Sequence, residues 1–63
     1  MDIQTIVTDL LSHGFTQAEL SEVADDYGQS SISKIKRGDL KRPPYPVYIN
    51  LLNLHTETFK ATE

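Results

Sequence analysis

Cysteine is missing from this 63-residue chain, which excludes disulfides and fits a reducing compartment. His13 and His55 are the only histidines, too few for a structural metal site. Neither of the usual staples of a small domain is therefore expected. No apolar run approaches the roughly 20 residues that cross a bilayer. The chain starts with Asp2 where a secretory signal would carry basic residues, so the expectation is a soluble protein of the cytoplasm with no membrane partner. A glycine-rich phosphate loop and a metal-ligand cluster are also missing, and nothing around Ser30, Ser31 or Ser33 suggests a nucleophile elbow. These absences argue against an enzyme, a cofactor or a small-molecule substrate. A chain this short forms one domain, 1–63, and buries only about 60% of the surface it exposes when unfolded. Its stability must rest on economical helix packing, on a partner subunit, or on both.

Lys and Arg are absent from the first 27 residues, which carry Asp2, Asp9, Glu19, Glu22, Asp25 and Asp26. Residues 28–55 reverse the sign, with Lys34, Lys36, Arg37, Lys41 and Arg42 against Asp39 alone. The net charge of -3 thus hides a dipolar molecule with a local basic footprint. What that footprint does depends on where the bases fall.

Ile3, Ile6, Val7, Leu10 and Leu11 recur at helical spacing and predict a first helix over about 3–13, capped by Asp2 and ended by Gly14. Thr16-Gln17-Ala18-Glu19 has the pattern of a capping box, with Phe15 and Leu20 placed for a hydrophobic staple. A second helix over about 17–25 follows, burying Leu20, Val23 and Ala24, with Asp25-Asp26 favouring a turn. Ile32 and Ile35 are the inward residues of a third helix over about 29–37, and Gly38 ends it. Around them everything is polar, including three serines, which are mediocre helix formers and so invite a reason other than stability.

Pro43, Pro44 and Pro46 predict a stiff extended connection, with Pro46 suited to the first position of a fourth helix over about 46–55. Val47, Tyr48, Ile49, Leu51, Leu52 and Leu54 make that helix apolar around much of its circumference, more than three short helices can cover. Leu51, Leu54 and Phe59 are accordingly expected at a dimer interface. The tail, 56–63, is open between a frayed end, a short fifth helix from Thr56 and a strand pairing across a dimer. The fold class expected is all-α, a bundle of four to five short helices.

Two short helices joined by a tight turn, the second polar outside and anchored by two isoleucines, have the form of a DNA-binding helix-turn-helix. Thr16-Gln17-x-Glu19-Leu20, then Gln29-Ser30-Ser31-Ile32-Ser33-x-Ile35-x-x-Gly38, then Lys41-Arg42-Pro43, resembles the lambdoid phage Cro and repressor family over about residues 3–55. Each piece is common and the ordered combination is specific. One departure is visible: the turn at Asp25-Asp26-Tyr27 is one residue longer than the family's, with Tyr27 in the buried turn position.

The resemblance implies a lambda-repressor-like DNA-binding domain whose third helix enters the major groove. It assigns base reading to Gln29, Ser30, Ser33 and Lys34. Gln29 is the strongest candidate, since its amide can bond bidentately to adenine, and Lys34 is open between a guanine and a phosphate. Gln17 would donate to a phosphate and brace Gln29, while Lys41, Arg42 and Tyr45 would grip the backbone. Lys36 and Arg37 are poorer candidates at the far end of the helix. Tyr45 and Tyr48 serve equally well as packing residues. A two-fold dimer would match half-sites about 34 Å apart. The expectation is a repressor binding palindromic operators in double-stranded DNA as a homodimer, Cro-like because no further oligomerisation domain follows. A protein-interaction module using the apolar face of the fourth helix is the alternative.

Overall fold

A buried stripe on the first helix organises the molecule. In the computed structural model, which describes residues 2–60, α1 spans Ile3–His13 and turns Ile3, Ile6, Val7 and Leu10 into the core. Asp2 caps it, its carboxylate accepting the Thr5 N–H at 2.9 Å. Gly14, with φ of 125°, ends it in a conformation that an L side chain rarely adopts.

The second helix, α2 (Gln17–Val23), starts with the expected capping box. Thr16 Oγ1 accepts the Glu19 N–H at 3.1 Å, and Glu19 Oε1 accepts the Thr16 N–H at 2.8 Å. This helix stops two residues earlier than its sequence suggests. Asp25 and Asp26 both take left-handed φ values, 61° and 58°, and no right-handed helix continues through them. Ala24, just past the end, is nevertheless fully buried.

Next, α3 (Gln29–Arg37) buries Ile32 and Ile35 completely and ends on the left-handed Gly38. Finally, α4 (Tyr45–Lys60) begins one residue before the expected position, so that Pro46 is its second residue. The Pro44 carbonyl accepts the Tyr48 N–H at 3.1 Å, and the N–H that Pro46 lacks would have had no partner in the first turn.

The described residues contain four helices and no strand. The tail question is answered as far as residue 60: α4 runs on, so neither a fifth helix at Thr56 nor a strand forms there, and 61–63 lie outside the described residues. The added turns pack on α1. His55 Nε2 and Asp9 Oδ2 lie 2.9 Å apart, and the Phe59 ring sits 5.3 Å from the His13 ring of α1 and 4.5 Å from that of His55 on its own helix. His55, expected near a helix end, is thus an interior residue of α4.

The same packing removes Leu51 from the expected dimer surface. Leu51 has no exposed surface at all, because α4 lies against both α1 and α2. Leu54 and Phe59 are partly buried and pack against the core of their own chain. Tyr45, 72% exposed, is the large apolar residue of α4 left in the open. The partly buried Ile49 and Leu52 follow it at i+4 and i+7 on the same side of the helix, Leu52 also packing against the core.

Candidate nucleic-acid interface

Ile32 and Ile35 decide how α3 is presented. With both pointing into the core, helical spacing sends Ser30, Lys34 and Arg37 to the opposite side, with Gln29 and Ser33 flanking them. Gln29, Ser30 and Lys34 are exposed, and Ser33 is half-buried, so the polar edge expected for this helix is uncovered. Arg37 shares the outward line, although the sequence ranks it as a poorer candidate. Its Nε donates to Asp39 Oδ2 at 3.2 Å, in an ion pair with both side chains more than half exposed. So exposed a pair contributes little and opens readily.

Gly28 provides the N-cap of α3 and offers no side-chain acceptor, so the first-turn N–H groups have no side-chain cap. Its backbone (φ 103°, ψ 138°) belongs to a region nearly reserved for glycine. The Gly28 N–H donates to Ser21 Oγ at 3.0 Å, and Ser21 is the one polar residue of the buried set. That serine escaped the sequence reading, since a single Ser between Leu20 and Val23 carries no signal of its own. Through it α2 fixes where α3 begins.

Gln17 is half-buried at the start of α2, and Gln29 stands exposed at the start of α3. Among the described residues no hydrogen bond joins them, so the brace that the resemblance implies is not formed in the free chain. The longer turn, with its two left-handed aspartates, separates this chain from the family pattern at that point.

Beyond α3 the chain is pinned by Leu40, which packs on the core, and then exposes Lys41 and Arg42. Tyr45 follows at the start of α4, the one large apolar side chain in the open among the described residues. Of the acids, Glu19, Glu22, Asp25 and Asp26 are exposed on α2 and the turn after it, whereas Asp39 pairs with Arg37 and Asp2 shares a cleft with Lys41.

His13, His55 and Asp9 gather at the α1–α4 contact around Phe59. Among the described residues no three His, Cys, Asp or Glu side chains come together as a set that would hold a metal ion. No described helix is long and apolar enough to cross a membrane. The chain matches none of the protein families, curated proteins or solved structures with which it was compared.

Proposed function

We propose that this protein binds double-stranded DNA sequence-specifically through α3 and regulates transcription, in the manner of a Cro-like repressor on palindromic operators. The observation that carries this reading is the uncovered polar edge of Gln29, Ser30 and Lys34 on a helix buttressed by two fully buried isoleucines. A helix anchored from behind, with polar side chains in front, suits the width of the major groove. The exposed Lys41, Arg42 and Tyr45 would meet the phosphate backbone beside it. Uncapped N–H groups at the start of α3 favour an anion as well. In this reading the protein is a binding protein of the cytoplasm, acts without cofactor or metal, and pairs with a second copy on its operator.

The experiment is a selection from random duplexes followed by a salt titration on the enriched sequence. Enrichment of a palindromic motif, with affinity falling steeply as salt rises, is the expected result. Failure to enrich any motif would remove sequence-specific binding from consideration. A second reading is favoured by one observation, the 72% exposure of Tyr45 beside Ile49 on α4. There the protein is an interaction module that docks another protein on that face, and its binding would depend only weakly on salt.

A further inference from the structure

Gln4 lies on α1, remote in sequence from every residue assigned to DNA, yet its side chain reaches the end of α3. Its Nε2 donates to the Lys36 carbonyl at 3.1 Å across 32 residues of sequence. That carbonyl belongs to the last turn of α3, where intrahelical partners run out. The neighbouring carbonyls are served by the loop itself. Gly38 N–H donates to Ile35 at 3.0 Å, and the Asp39 and Leu40 N–H groups donate to Lys34 at 2.9 and 3.2 Å. Gln4 therefore completes a cap that the loop leaves unfinished. It also lies over Gly38, where a Cβ would meet its Nε2 at 3.2 Å. Gln4 and Lys41 line one shallow cleft of about 220 Å³, together with Asp2 and Ile3.

We infer that Gln4 is a positioning residue, holding the end of α3 and the loop 38–42 so that Lys41 and Arg42 present to a phosphate backbone. The inference rests on the DNA-binding reading for its consequence, though not for its geometry. Because Gln4 is exposed, its replacement leaves the core intact. Replacing a residue that only added stability would lower the melting temperature and leave the ionic character of binding unchanged. Replacing a positioning residue changes the ionic character.

The test is Gln4→Met, which keeps length and removes the donor. In the free protein, amide hydrogen exchange at Asp39 and Leu40 should speed up several-fold, while the amides of Ile6 to Leu10 keep their protection. On a random-sequence duplex, the slope of log affinity against log salt should shrink by about one to two, the share of one or two phosphate contacts. The double variant Gln4→Met/Lys41→Ala should lose less slope than the two single losses added together. Unchanged exchange at Asp39 and Leu40, or an unchanged slope in a variant that still binds, overturns the inference. No binding by the unaltered protein would instead sink the DNA reading, and the exchange measurement would still decide whether Gln4 holds the loop.

Discussion

Ser21 Oγ accepts the N–H of Gly28 at 3.0 Å, and this bond joins the middle of α2 to the first residue of the α3 cap. Ser21→Ala leaves that partly buried N–H without its acceptor. The cost is expected at about 1–3 kcal/mol, the desolvation penalty of an unpaired group. In a domain of this size it should lower the melting temperature by roughly 4–8 °C per kcal/mol. Thermal and denaturant unfolding of the variant check this, and an unchanged midpoint would deny the bond any structural part.

The contrast between Ser21 and Thr16 explains what was legible in the sequence. Thr16 and Glu19 announce themselves because a capping box is a local pattern, and the structure forms it as written. Ile32 and Ile35 announce themselves by spacing, and both are fully buried. Ser21 depends on a partner seven residues away across an irregular turn, which no periodicity encodes. Gln4 and Lys36 are separated further still. The length of α4 was missed for a related reason. Thr56 to Thr58 look polar and terminal, and only the packing of His55 and Phe59 on α1 carries the helix through them. The apolar count of α4 places Leu51 at a dimer surface, because composition does not say how far α1 and α2 cover the helix.

For the proposed DNA contacts, two substitutions should separate base reading from backbone grip. Gln29→Ala is expected to cost about 1–3 kcal/mol on the selected operator and to relax preference at one base pair. Lys41→Ala should weaken binding to every duplex alike and reduce the salt slope by about one. Affinity measured on selected and random duplexes at several salt concentrations resolves both. Equal losses on the two duplexes for Gln29→Ala would remove its assigned role.

Acid should act on the start of α1. The hydrogen bond from the Thr5 N–H holds the Asp2 carboxyl below its ordinary value of 3.8, since the charged form is the better acceptor. A depressed folded-state value means a contribution that is present above the unfolded value and lost as pH falls through the folded one. Asp2→Ala should therefore lower the melting temperature at neutral pH, with the gap from the unaltered protein narrowing as pH falls below the carboxyl's ordinary value of 3.8. A gap that stays constant from pH 7 to 2 would show that the side chain's charge is irrelevant to the cap.

Leu51 and Ile49 sit on opposite sides of α4 and should fail in different ways. Leu51 is wholly inside the chain, so Leu51→Ala opens a cavity at a cost of about 2–5 kcal/mol. Against the roughly 5–15 kcal/mol of a typical domain, that loss is large and independent of protein concentration. Ile49 is partly buried and shares its side of α4 with the exposed Tyr45, on which the proposed dimer would pair. Ile49→Asp should cost the monomer less than Leu51→Ala, since Ile49 keeps part of its surface in the open, while placing two like charges near the two-fold axis of the proposed dimer. Sedimentation and denaturation across a concentration series distinguish the cases. If Ile49→Asp associates as the unaltered protein does, pairing through this side of α4 is excluded, and the proposed dimer must be built by another surface.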